Sequence, residues 1–395
     1  MITERDVVAA LPPEGFVRTY VIHALKQTTS PLCYHLGVGL SLLAVTCPEN
    51  YGTTYAGPLR SNLFTLLVGR SGEDQKSSAI NIGRSLLDEA CPGRIGDFPG
   101  SPEGLIDSLQ GASTQLIPMS EFGRFLSSAQ KGYFEPIKTL MADLWDCHPV
   151  QRAKANGKHI RVESPRLNVM AACSIPYLER HTLSEDWTGG FMGRWAVMYG
   201  RRERIDPFPS GDDTHTPHLI REIERMVETT EAGWCNGLDP EAKKLWSNWY
   251  HDLYKRRMPS MVIGLRSRAP TIALKTALLY GWDFGPARLN RRWFISRDEL
   301  VPAIKFAELH IKSLIALSEK IADHPDARLR RQVLLALEEY RGEATLGQIL
   351  TKLKMRKRPV QESLDALLEE GKVLKTAIPR STGYAYVLQG DVGEA

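Results

Sequence analysis

The stretch "LLVGRSGEDQKSSAINIGRSLL", residues 66–87, sets a glycine after an apolar strand, then a polar loop, then Lys76-Ser77-Ser78, then a helix whose apolar periodicity begins at Ala79. A phosphate cradle needs that order. Backbone N–H groups must converge at a helix N-terminus, a lysine must reach the outer phosphates, and a hydroxyl must hold the magnesium. The usual spelling, G-x-x-x-x-G-K-[ST], puts glycine just before the lysine. Here Gln75 stands there, and Gly69 lies one place too far away. The candidate nucleotide-binding residues are therefore Gly69, Gly72, Lys76, Ser77 and Ser78, with ATP as ligand and Mg2+ on the Ser77 hydroxyl. Taken alone, the loop is equally a polar strand-to-helix turn with an exposed lysine.

Three later segments carry partners for such a loop. "TQLIPMSEFGRFL" is an apolar strand ending in Ser120-Glu121, and a carboxylate at a strand end near the γ-phosphate can polarise the attacking water. Ser120 occupies the position where an aspartate usually holds the magnesium, which leaves Ser77 and Ser120 as the metal candidates. "PRLNVMAACSIPYLER" ends in Ser174, where a polar sensor would touch the γ-phosphate or the water; serine before Ile-Pro also suits a helix entry. In "WTGGFMGRWAVMYGRRER", Arg194 follows glycines 189, 190 and 193. An arginine on such a turn can reach a neighbouring subunit's nucleotide and neutralise transition-state charge. The order of the four elements, more than any one of them, makes the case.

The elements that must position these residues are short apolar strands at 63–68, 115–119, 167–173 and 195–199, alternating with helices. That alternation predicts an α/β P-loop NTPase core around a mostly parallel, doubly wound sheet. A helical segment precedes it, with apolar positions at helical spacing over 14–47 and Pro31 between its two halves. The chain turns polar at about 208–238, which suits a linker or an insertion, and a helical block runs from Pro240 to about Ala322. The expected division is 1–60 helical, 61–207 ATPase core, 208–322 linker and helical lid, and 323–395 a small final domain. With 395 residues, 43% hydrophobic and 24% charged, the chain can bury large cores. No apolar run spans a bilayer and the N-terminus lacks a signal-peptide pattern, so a cytoplasmic protein with no membrane partner is expected. Six cysteines without C-x-x-C spacing argue against a zinc site or a disulfide framework. A net charge of +4 is too small to imply nucleic acid by itself.

Residues 62–204 resemble the P-loop ATPase domain of unknown function that recurs in phage and mobile-element replication proteins, where it is often fused to a primase-polymerase. The resemblance rests on "LLVGRSGEDQKSS", which matches that family's longer, glycine-poor phosphate loop, on "SPEGL" at 101–105, on "SEFGRFL" and on "GGFMGRW". It implies a replicative, helicase-like ATPase, here without the primase. This chain departs from the family at Gln75, where a basic residue is common, and at Ser120, where an aspartate is common. The resemblance also implies a second sensor arginine in the lid, assigned to Arg268 in "GLRSRAPTIALKTALLYG".

DNA-facing candidates lie in two places. "QRAKANGKHIRVES" holds Asn156-Gly157, a preferred hairpin turn, flanked by Lys154, Lys158, His159 and Arg161. In ring ATPases of this broad class a hairpin at that point lines the central channel, where basic side chains track a phosphate backbone. At the C-terminus, "RLRRQVLLALEEY", "TLGQILTKLKM" and "PVQESLDALLEEGKV" read as three helices, and "LKTAIPRSTGYAYVL" as two strands: a winged helix. Its third helix is expected to start near Pro359, behind Lys354, Arg356, Lys357 and Arg358, which suits phosphate contact. The reading is a ring-forming homo-oligomeric ATPase acting on single-stranded DNA in a channel and on duplex at the winged helix. The rival is a DNA-binding initiator or adaptor with a degenerate nucleotide site.

Overall fold

The structure, a computed structural model, describes every residue except 1, 130–135, 154–158, 183–185, 188–189, 212, 231, 286–292, 319, 321–324, 370–372, 378–383 and 389–395. The chain divides into two compact units, Met1–Ile321 and Ala322–Ala395.

The first unit begins with helices α1 (Glu4–Val8), α2 (Phe16–Gln27) and α3 (Leu32–Thr46), then a short hairpin, β1 (Gly52–Thr54) and β2 (Pro58–Arg60). Next come β3 (Phe64–Gly69), α4 (Lys76–Ala90), α5 (Pro102–Gly111), β4 (Thr114–Met119), α6 (Phe122–Ser128) and α7 (Ile137–Trp145). A second hairpin, β5 (Val150–Ala153) with β6 (His159–Val162), leads to β7 (Arg166–Ser174), α8 (Ile175–His181) and β8 (Trp195–Tyr199). Helices α9 (Thr216–Glu228), α10 (Pro240–Lys255), α11 (Ser260–Arg266), α12 (Ala269–Asp283) and α13 (Arg297–Ser318) complete it.

Four strands form one parallel sheet in the order β4-β7-β3-β8. Every residue of β3 and β8 is buried, as continuous apolar runs require when both faces of a parallel sheet are covered. Helix α3 is buried on all sides from Cys33 to Thr46 and meets the sheet where Ser41 Oγ donates to Thr65 Oγ1 at 3.0 Å. On its other side α4 packs closely, because Gly83 has no Cβ to collide with Val38. At the β8 edge, side chains of α13 take the place of another strand: Val197 N donates to His310 Nδ1 at 3.1 Å and Tyr199 N to Ser313 Oγ at 2.9 Å. Those contacts satisfy an edge that would otherwise invite pairing.

Two expectations change. The polar stretch 208–238 contains α9, whose Leu219, Ile223 and Met226 are buried at helical spacing. Three apolar residues suffice to dock a helix whose remaining face is charged. Helix α4 starts at Lys76 rather than Ala79, because a first turn needs no apolar side chain to be helical.

The second unit holds α14 (Pro325–Glu339), β9 (Glu343–Thr345), α15 (Leu346–Leu353), α16 (Lys357–Glu369), β10 (Val373–Ala377) and β11 (Tyr384–Leu388). Its antiparallel sheet has the order β10-β11-β9. Its own core joins Val333 and Leu337 of α14, Ile349 of α15, Val360 and Leu364 of α16, and Tyr386 of β11. A reciprocal cap between Thr345 and Gln348 starts α15. Ser381-Thr382-Gly383, in the segment read as two strands and standing between them, lies outside the described residues.

Candidate functional site

At the carboxyl ends of β3, β7 and β4 opens a cleft of about 420 Å3, within the range of small-ligand sites. Gly72, Lys76, Ser77 and Ser78 line it from the loop, Ser120 and Glu121 from the end of β4, and Ser174 from the end of β7. Seven residues singled out in sequence thus share one cavity. The acid's strand is not the loop strand's neighbour, because β7 lies between them. Ser174 is therefore carried by the strand between Gly69 and Glu121.

The loop's odd spelling has a structural account. Gly69 lies where a Cβ would collide with the hydroxyl of Tyr34, which donates to Val68 O at 2.6 Å. Gly72 has φ +73°. Gln75 is also left-handed, at φ 48° and ψ 37°, the conformation glycine would adopt freely and that costs another residue about 1 kcal/mol. Its side chain offsets that cost. Thr28 Oγ1 and Thr29 Oγ1 donate to Gln75 Oε1 at 2.6 and 3.2 Å, and Ser30 Oγ donates to its carbonyl at 2.9 Å. The α2–α3 connection therefore grips the loop just before the lysine. No side chain caps α4, so its first N–H groups remain available at the cleft.

Asp74, fully buried, ties the loop down from below. It accepts from Arg70 N at 2.6 Å, Arg70 Nη2 at 2.8 Å and Arg202 N at 2.9 Å. Burial alone would raise its pKa, but these bonds outweigh it and hold the carboxyl below its ordinary value. Lys76 Nζ donates to Gly69 O at 3.1 Å and to Arg70 O at 2.7 Å, spanning the loop. Burial lowers the lysine's pKa, and the charge of Asp74 acts against that shift.

Arg194 and Arg268 lie elsewhere. Arg194 immediately precedes β8, and Asn62, next to the same cluster, precedes β3, so both mark the amino end of the sheet, opposite the cleft. Arg194 donates to Gly190 O at 3.0 Å and to Asp146 Oδ2 at 3.2 Å. Three cations surround the ring of Trp145: Lys275 at 4.5 Å, Arg268 at 5.6 Å and Arg194 at 5.8 Å. Lys275 is buried, bonded to Asn62 Oδ1 at 2.5 Å, and burial pushes its pKa down to about 8. Arg268, expected as a sensor arginine in the lid, does not line the cleft: it packs against Gly193 beside Arg194, and α12 behind it is a largely buried core helix.

Of the hairpin residues, Lys154, Lys158 and the turn Asn156-Gly157 lie outside the described residues. His159 and Arg161 are exposed on β6, and Arg161 is paired with Glu163 at 2.7 Å. Arg152 of β5 anchors the hairpin to Asp107 of α5 through two hydrogen bonds. In the second unit Lys354, Arg356, Lys357 and Arg358 are all exposed around the start of α16. Arg358 pairs with Glu362 at 2.9 Å; among the described residues no carboxylate pairs with the other three.

Sequence reasoning missed Arg124 and Tyr177, which also line the cleft. Arg124 stands three residues after Glu121 and so shares its helix face, a readable signal. The Thr28-Thr29-Ser30 grip on Gln75 had none, because it joins segments more than 40 residues apart. All six cysteines are free thiols. Among the described residues no group of three or more His, Cys, Asp or Glu side chains could hold a metal ion, and no helix is long and apolar enough to cross a membrane. No protein-family model matches this chain, and no curated protein is significantly similar to it.

Proposed function

We propose that the chain is a P-loop ATPase of helicase-like or AAA+-like type, working as a ring-forming homo-oligomer that couples ATP hydrolysis to movement on, or remodelling of, DNA. One observation carries the reading: Lys76, Ser77, Ser120, Glu121 and Ser174, chosen for phosphate chemistry, line one cleft beside an uncapped helix N-terminus. The donor set fits a magnesium nucleotide. It offers an ammonium, several hydroxyls, free backbone N–H groups and a single carboxylate.

ATP, when bound, supplies the phosphoanhydride bond that is broken. Lys76 would exchange its loop carbonyls for the β- and γ-phosphates, and Ser77, with Ser120 beside it, would hold Mg2+. Glu121 would orient the attacking water, and Ser174 would sense the γ-phosphate from the strand between. Arg194, at the far end of the sheet, would serve a neighbouring copy's cleft rather than its own, and it would have to leave Asp146 to act there. The order of helices and hairpin in the second unit supports a winged helix, with Lys354, Arg356, Lys357 and Arg358 facing phosphates.

A second reading, an initiator or adaptor with an inactive site, draws on the lysine's bonds to Gly69 O and Arg70 O and on the serine at position 120. Lys76→Ala and Glu121→Gln separate the two. Under the ATPase reading, Lys76→Ala loses binding of a fluorescent ATP analogue, while Glu121→Gln binds it and stops turnover. Hydrolysis at the parent rate in both variants would exclude catalysis at this cleft.

A further inference from the structure

We propose that the outer face of α10, with the β1–β2 turn, is a separate surface for single-stranded nucleic acid that holds unpaired bases by stacking. Lys243, Trp246, Tyr250 and Tyr254 recur at intervals of three and four residues, so they follow one face of the helix, and Arg257 lies two residues beyond its end. Their rings form a continuous ladder. Tyr254 and Tyr250 lie 4.8 Å apart between centroids and are inclined at 32°, and Tyr250 and Trp246 lie 6.3 Å apart at 38°. Tyr55, from the β1–β2 turn, meets Trp246 edge-on at 5.9 Å, and the guanidinium of Arg266 sits 4.7 Å over Tyr254 at the other end.

This ladder remains open to solvent: Tyr55 is 36% exposed and Tyr254 40%. Its backing is fixed, since buried Trp249 donates to Glu308 at 2.6 Å. Charge selects the occupant. The nearby acids are engaged, Asp252 and Glu308 with Arg256 and Glu241 with Arg297. Among the described residues no carboxylate pairs with Lys243, Lys255 or Arg257. Partly exposed rings at successive helical turns, interleaved with uncommitted cations, suit a polyanion that carries flat aromatic faces, which is single-stranded nucleic acid. None of these side chains lines the cleft, so the surface needs no ATP and is tested without it.

The experiment uses the full chain, a labelled thymidine oligonucleotide and inorganic polyphosphate, read by fluorescence anisotropy. Tyr250→Leu/Tyr254→Leu keeps the apolar bulk but removes the rings. It should weaken oligothymidine binding about tenfold or more and leave polyphosphate binding unchanged. Tyr254→Phe should bind as the parent does. Lys243→Gln/Arg257→Gln should weaken both ligands and flatten the salt dependence by about 0.7 per lost contact. A photoreactive 5-iodouracil oligonucleotide should crosslink within 243–257, which separates this surface from other DNA contacts. Parent-like binding by the double leucine variant, equal loss of polyphosphate, or crosslinks only elsewhere would overturn the proposal. So would a leucine effect confined to self-association in sedimentation, which would make a second copy the occupant.

Discussion

Asp283 sits at the end of α12 with its carboxylate against the start of α2, accepting from Phe16 N at 2.5 Å and Val17 N at 3.2 Å. Burial raises its pKa, the two N–H bonds lower it, and the charges of Glu222 and Glu14 raise it further, leaving it near 7 against an ordinary 3.8. The folded chain therefore keeps a proton that the unfolded chain releases between about pH 4 and pH 7. Stability falls as pH rises through that window. At about 1.4 kcal/mol per unit, the full displacement is worth about 4 kcal/mol by pH 7. Asp283→Asn removes the titration but leaves one of the two N–H groups without an acceptor, at a cost of about 1–3 kcal/mol. The variant should thus be less stable than the parent near pH 4, where the titration has cost the parent under about 1 kcal/mol, and more stable near pH 8. Urea unfolding followed by tryptophan fluorescence is the assay, since all eight tryptophans lie in the first unit. A parent-to-variant difference that does not change with pH would refute the reasoning.

The buried histidines act in the opposite direction. Burial pushes His35 and His310 down to about 3, so each should cost about 2 kcal/mol of stability by pH 5, and His35→Leu should flatten the acid limb of a Tm–pH curve. Thr28→Val, which cuts the anchor of Gln75, should weaken nucleotide binding several-fold in the parent but have no effect in a Gln75→Gly background, measured by titration with a fluorescent ATP analogue. Arg194→Ala should lose ATPase activity, and mixing it with Lys76→Ala should restore part of it; monomeric behaviour with nucleotide and DNA in mass photometry would exclude the trans role. Removing residues 325–395 should weaken duplex binding more than it lowers basal ATPase.

The strands were readable because a parallel sheet covered on both faces leaves continuous apolar runs, and all four fell within a residue or so of their observed ends. Pro31 separated α2 from α3 as its fixed φ and missing donor require. The cleft residues were readable because each stands at a strand end or in the loop and first helical turn after one, where local pattern and topology coincide. What escaped depends on long-range contact. Nothing near Gln75 announces that threonines 28 and 29 hold its amide, and nothing near Arg268 announces that it packs beside Arg194 rather than over the cleft. Helix α9 escaped because a charged face hides three buried residues from a composition-based reading.

The proposed function stands or falls with ATP hydrolysis at the cleft beside Lys76 in response to DNA. Phosphate release by the full chain, followed with and without single-stranded DNA, tests it most directly when Lys76→Ala is run alongside. Turnover by the parent should rise with DNA and be lost in Lys76→Ala. A parent rate no higher than that of Lys76→Ala, with DNA present, would contradict it.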